Sequence, residues 1–368
     1  MSLRFSLLDS KDNAVTVSGC ALLTCWLLMV PARAKGELPP IPIDAQDGIA
    51  EERDEMRQGV LPWLALSGQV EIEWNRQRIS PWDGGGRETT TETPSNYQLG
   101  MEIRPLERLR LELLFEYDST SAQLRADEAI GAIELEQWEF TFGKFYTPLG
   151  VYASEFINGP MIEFGETRAN GLSLSYTAGT LFKPSLMIYQ GEAGRNDTHR
   201  RGLDWAFGLQ ANISENLSLD LSYQSDLADS DERMLSDFGN RYSHKVAALG
   251  ALLRLHGTAY TVTAEALAAL DRFSEWQHDR DMPLAWNIEL THPLAHESLR
   301  LTWRLEGSRE LQDQPRWQAG AALGWEPDEH ISLTLEYLHG RYQRGLAGDD
   351  DEPDRDVSTA SARITFEF

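Results

Sequence analysis

Residues 99–118 read LGMEIRPLERLRLELLFEYD. Leu99, Met101 and Ile103 alternate with Glu102 and Arg104; after Pro105-Leu106-Glu107 the alternation resumes. Leu109, Leu111, Leu113, Phe115 and Tyr117 then fall on one side, and Arg110, Glu112 and Glu116 on the other. Successive side chains of an extended chain point to opposite faces. The segment is therefore a hairpin with one apolar and one charged face; a period of two does not suit a helix. Strands of about ten residues with an apolar and a polar face are what a tilted membrane-crossing strand requires.

The same pattern runs from Trp63 to Phe368. It predicts an all-β fold, a transmembrane antiparallel β-barrel of about sixteen strands spanning 63–368. The strands are expected near 64–75, 95–104, 108–118, 127–135, 137–145, 167–177, 181–191, 201–212, 216–226, 243–255, 258–270, 282–293, 297–309, 315–326, 330–341 and 356–368. Tight connections, such as Ala178-Gly179-Thr180, Ser214-Glu215-Asn216, His256-Gly257 and Asp328-Glu329, alternate with long polar ones. The long set is 76–94, 119–126, 146–166, 192–200, 227–242, 271–281 and 342–355. Short turns on the periplasmic side and long loops outside give this alternation. A soluble sandwich or solenoid does not account for it. Trp63, Trp74, Tyr97, Tyr117, Tyr176, Tyr223, Tyr260, Trp276, Trp325 and Tyr337 are expected near strand ends, where amphipathic rings favour membrane interfaces.

No stretch of the body reaches the roughly 18 apolar residues of a membrane helix. At the N-terminus, Arg4 and Lys11 precede an apolar run over 21–30, and Ala32-Arg33-Ala34 reads as a cleavage site. The expectation is a signal peptide over 1–34, then a Pro-rich and helix-like periplasmic extension over 35–62. Both cysteines, Cys20 and Cys25, lie inside the signal, so no disulfide framework or thiolate chemistry is expected in the exported chain. The formal charge of −25 argues against nucleic acid, which needs a basic surface. No cofactor or catalytic set is expected. His292 and His296 have metal-ligand spacing only on a helix. Asp349-Asp350-Asp351-Glu352 reads first as a solvated charge run.

Residues 146–166 form the third external loop if the termini are periplasmic, and it is unusually apolar. Val151, Tyr152, Phe156, Ile157, Met161, Ile162 and Phe164 need a surface to cover. Folding inward against the barrel wall provides one and narrows the pore; an external patch or oligomer contact is the alternative. Phe366 and Phe368, sharing a face with Ile364, form a closing pattern similar to the C-terminal signal read by the bacterial barrel assembly machinery.

Residues 143–176, GKFYTPLGVYASEFINGPMIEFGETRANGLSLSY, resemble the signature of the LbtU-family siderophore porins. Gly143, Lys144, Tyr146, Pro148 and Gly150 match its first element. Pro160, Glu163, Gly165, Glu166, Thr167 and Arg168 match its second. Leu149 replaces the usual Phe, and Gly159 stands where Asp is expected, which removes a charge at the constriction. Phosphate-selective porins share a similar first element. The resemblance implies an outer-membrane porin, with ferric-siderophore uptake without energy coupling as one of its uses.

The expected pore constriction is Tyr152, Glu155, Phe156, Glu163, Glu166 and Arg168, the last three also forming an ion-paired hinge. The expected lumen wall includes Arg104, Arg108, Arg110, Glu112, Glu116, Arg300 and Arg304. Glu71, Glu73, Glu102, Glu139, Asp220, Glu265, Glu289, Glu336, Arg254 and Arg363 also point inward. The acidic excess leans toward cations, although neutralised wall pairs fit equally well. The partners expected are outer-membrane lipid and lipopolysaccharide, the assembly machinery and a small solute or chelate. A scaffold barrel sheathing an electron-transfer or other protein is the alternative.

Overall fold

The structure is a computed structural model. It describes residues 63–368 except 163, 180, 197–200, 232–233, 236–237, 277–280, 295–297, 312–313 and 343–353. The expected signal peptide, the 35–62 extension, His296 and the 349–352 acidic run lie outside the described residues.

The strands in chain order are β1 (Leu64–Pro81), β2 (Glu88–Glu92), β3 (Ser95–Leu106), β4 (Leu109–Asp118), β5 (Gln123–Leu135) and β6 (Trp138–Tyr146). Next come β7 (Arg168–Tyr176), β8 (Phe182–Arg195), β9 (Arg201–Ser214), β10 (Leu217–Gln224), β11 (Arg241–Tyr242) and β12 (Ala248–His256). The last six are β13 (Thr261–Ala269), β14 (Leu284–Pro293), β15 (Leu299–Arg309), β16 (Trp317–Asp328), β17 (Ile331–Tyr342) and β18 (Arg355–Glu367). Sixteen of them pair antiparallel with their neighbours, and β18 closes on β1 from Gln69↔Glu367 to Pro81↔Arg355. Closure leaves no open edge, the condition for a sheet that spans a bilayer.

The seam continues past the last strand residue. Gly68 and Phe368 exchange both backbone hydrogen bonds, at 2.9 and 3.0 Å. The Phe368 ring lies over Gly68, where a Cβ would come within 2.3 Å of it. Gly68 is the seat that this ring requires.

The two remaining strands correct the expected loop boundaries. β1 continues through Asn75-Arg76-Gln77-Arg78 to Pro81, and β2 folds back onto it from Asn75↔Glu92 to Ile79↔Glu88. The expected loop 76–94 is thus mostly hairpin. Beyond the lipid layer both faces meet water, so the ladder continues without any apolar alternation to reveal it. β11 runs parallel to the end of β8, pairing Arg241 with Gly194 and Tyr242 with Arg195, because its loop returns to the wall.

Leu172, Leu174, Leu186, Ile188, Trp205, Leu253, Ile288, Leu290, Trp303, Leu305 and Leu335 are exposed on the outer face. They form the lipid-facing belt that alternation requires. Trp63, Tyr97, Tyr117, Tyr260 and Trp325 are exposed with it near strand ends, and Trp74 is exposed within β1, which runs on to Pro81. Trp276 is not part of this girdle. It packs on the interior core with its ring 4.7 Å from that of Phe273. Its loop folds inward, so the ring covers protein instead of lipid.

Candidate functional site

The interior is lined differently on its two sides. The cause is the loop between β6 and β7, residues 147–167, which lies inside the barrel. Its neck is closed by the Thr147 N–H donating to the Thr167 carbonyl at 2.8 Å. Gln224, buried at the end of β10, holds both sides of this neck. Its Oε1 accepts from Thr147 Oγ1 at 2.7 Å, and its Nε2 donates to Thr167 Oγ1 at 2.9 Å.

From the neck the loop runs along the inner wall, and successive strands present acceptors to its backbone. The Gly150 N–H donates to Ser222 Oγ of β10 at 3.0 Å. Val151 and Tyr152 both donate to Glu265 Oε1 of β13, at 2.7 and 3.0 Å. Ser154 Oγ and the Glu155 N–H donate to the Glu289 carboxylate of β14, at 2.6 and 3.1 Å. The Ile157 N–H donates to Glu336 Oε2 of β17 at 2.7 Å. The Asn158 side-chain amide reaches Glu336 at 2.5 Å and Ser361 Oγ of β18 at 2.9 Å, and Asn75 of β1 donates to Asn158 at 3.3 Å. Each wall carboxylate thereby accepts from at least one main-chain donor, which offsets part of the cost of burying its charge; Glu265 Oε2 stays buried without a donor.

Arg304 of β15 lies under the loop, its side chain 0% exposed. It donates to Ser154 Oγ at 3.1 Å and to the Asn158 carbonyl. It pairs with Glu306 at 2.7 Å and Glu289 at 3.5 Å, and its guanidinium carbon is 3.9 Å from the centre of the Phe156 ring. Gly159 follows, with φ of +154°, and a Cβ there would sit 2.4 Å from Glu306 Oε2. A side chain there would crowd the Glu306 carboxylate and the Arg304 guanidinium.

The return limb supplies Met161 and Phe164, which join Leu149 in a buried apolar core with Leu227, Leu235 and Val246 of the loop after β10. The wall makes room for them with Ala193, Ala248, Ala269 and Ala285. The hydrophobic requirement of 146–166 is thus met inside the barrel. Tyr152 joins the two limbs, its hydroxyl donating to the Phe164 carbonyl at 3.1 Å.

The loop's residues divide in this geometry. Glu155 faces Arg300 at 3.5 Å, and Arg300 also binds Glu326. Phe156 is buried in a small cluster with Ala322 and Leu338. Glu163 lies outside the described residues. Arg168 opens β7 and pairs with Asp127 of β5 and, at 2.5 Å, with Asp231. Arg168 is thus held by Asp127 and Asp231, because the strand start aims it at β5 and the later loop. Arg108 is corrected: it sits exposed in the turn between β3 and β4, one residue short of the inward-facing series.

Among the described residues the wall of β3–β6 has no such cover, and the loop meets β1 through Asn75. Its charges pair with one another, and apart from the buried Glu116 and Asp127 they stay partly exposed. Arg110 binds Glu112 and Glu139, both at 3.0 Å. Arg104 binds Glu102 at 2.7 Å and Glu134 at 3.8 Å, and Arg125 binds Glu116 at 2.6 Å. Arg363 of β18 lies 3.6 Å from Glu73 and 3.9 Å from Glu71. Carboxylates outnumber guanidinium groups along this side.

The fold is that of the outer-membrane porins. An outer-membrane channel, DcaP of Acinetobacter baumannii, superposes with a TM-score of 0.57 at 13% identity, over 83% of this chain and 98% of its own. The anion-selective porin of Comamonas acidovorans gives 0.59 at 10% identity, over 83% and 100%. OmpF of Salmonella typhi, in complex with daunomycin, gives 0.58 at 11% identity, over 83% and 97%. No protein-family model matches the sequence, and no curated protein does.

Gln224, Ser154, Asn158 and Glu306 are working parts that the sequence reading does not single out. Gln224 had one weak signal, an amide at the end of an otherwise alternating strand.

Proposed function

We propose that this chain is a bacterial outer-membrane porin that admits small polar solutes passively. The path runs between the internal loop and the uncovered wall of β3–β6. The observation that carries this reading is the asymmetry of the lining: a loop fastened to one side, and partly exposed rows of opposite charge on the other. Opposed charges along a narrow passage orient ions and set their preference, and the carboxylate excess favours cations. The likeness of residues 143–176 to siderophore porins supports ferric chelates as a cargo class. The inward loops fill space that a sheathed protein would need, which weighs against the scaffold alternative.

The test is single-channel conductance in planar bilayers. Shortening 151–163 should raise conductance severalfold while the barrel keeps its heat-modifiable migration. Replacing Glu155 and Glu163 by Gln should reduce cation preference in reversal potentials. Unchanged conductance after the deletion would remove the loop from the solute path.

A further inference from the structure

Away from the solute path, three aspartates from two elements meet inside the barrel. Asp204 projects inward from β9. Asp226 caps, and Asp229 ends, one turn of 3-10 helix, Leu227–Asp229, that follows β10. They are 1%, 0% and 3% exposed, and one oxygen of each lies within 4.8 Å of those of the other two.

Each carboxylate has one oxygen fixed and one unsatisfied. Asp204 Oδ1 accepts from Ser225 Oγ at 2.8 Å and from Lys245 Nζ. Asp226 Oδ1 accepts from the Ala228 N–H at 3.1 Å, and Asp229 Oδ1 from the Ala193 N–H at 2.9 Å. The Oδ2 atom of all three is buried and accepts nothing. A fourth group points the same way. The Tyr189 hydroxyl, on the inner face of β8, is 1% exposed, makes no well-formed hydrogen bond and lies against these same carboxylates, Asp229 first among them.

Buried carboxylate oxygens without donors are costly, and so are like charges in close contact. Among the described residues, Lys245 supplies one positive charge against three negative ones. Oxygens this close together need only a small inward movement to share one ion at about 2.4 Å, the distance at which calcium takes carboxylate and neutral oxygen ligands. We propose that Asp204, Asp226 and Asp229, with the Tyr189 hydroxyl beside them, form a site for a hard divalent cation of the calcium class. The ion would pin the start of the loop after β10 to β8 and β9. Burial first, then the neighbouring carboxylates, pushes Asp226 up to about 8, and burial raises Asp229 to about 7.

The experiment is calorimetric titration of the full, detergent-folded chain with calcium chloride after dialysis against EGTA. One calcium per chain is expected, with affinity reduced at least tenfold in the Asp226→Asn/Asp229→Asn variant. Heat-modifiable migration checks that the variant folds. No binding to the folded wild type, or variant affinity within twofold of it, would overturn the site. If the variant does not fold, hydrogen exchange of the wild type decides. Calcium should slow exchange at 225–231 relative to the β3–β5 wall, and an equal response in both regions would also overturn the proposal.

Discussion

The covered and uncovered walls of this barrel are built from the same kind of strand, yet their inward carboxylates are satisfied in different ways. On β13, β14 and β17, Glu265, Glu289 and Glu336 accept hydrogen bonds from the backbone of the internal loop and are buried. On β1 and β3–β6, Glu71, Glu73, Glu112 and Glu139 face guanidinium groups and stay partly exposed. A glutamate at an inward position is thus no measure of pore charge. What decides is whether its partner is a fixed main-chain dipole or a mobile cation. The first arrangement fastens a structure, and the second leaves charge available to a passing ion.

The largest expected effect lies under the loop. Arg304→Ala leaves Glu289 and Glu306 buried without their cation, and losing one partner of a buried pair costs about 3–5 kcal/mol. The loop should detach, and conductance should rise while denaturant unfolding shifts to lower concentration. A stable variant with unchanged conductance would show that the two walls do not differ as described. Glu265→Ala should come next. It orphans the Val151 and Tyr152 N–H groups, at about 1–3 kcal/mol for each unsatisfied donor. Hydrogen exchange should quicken at 150–153 before it does elsewhere, and Glu265→Gln, which keeps an acceptor, should change it much less. The smallest effect on stability belongs to the open wall. Arg110→Ala breaks partly exposed pairs worth about 1 kcal/mol or less, yet it should move the reversal potential toward cations. A stability loss matching that of Arg304→Ala would erase the contrast.

The barrel itself was legible in the sequence because alternation is a direct record of two solvents on two faces. The inward loop was legible in Phe156, Met161 and Phe164, which could not remain in water. Its anchors were not. Glu265, Glu289 and Glu336 read as inward charges, and nothing in their spacing says that a segment over a hundred residues earlier supplies their donors. Trp276 reads as an interface ring because it stands near a strand end, and only the folding of its loop places it in the core. The hairpin of β1 and β2 escaped because, outside the lipid, a strand has no apolar face to betray it. Asp204, Asp226 and Asp229 converge only because the strand turns back at Ser225.

The staples on the covered wall bind main-chain N–H groups at Val151, Tyr152, Glu155 and Ile157, and every amino acid except proline offers that donor. The grip is therefore nearly indifferent to which side chains the loop carries at those positions. Half-buried side chains of the loop that hold no partner, such as Ala153, can be exchanged one by one without loosening the frame. Descendants of this gene could retune what they admit by mutating a dozen codons, while the costly apparatus that holds the loop is inherited unchanged.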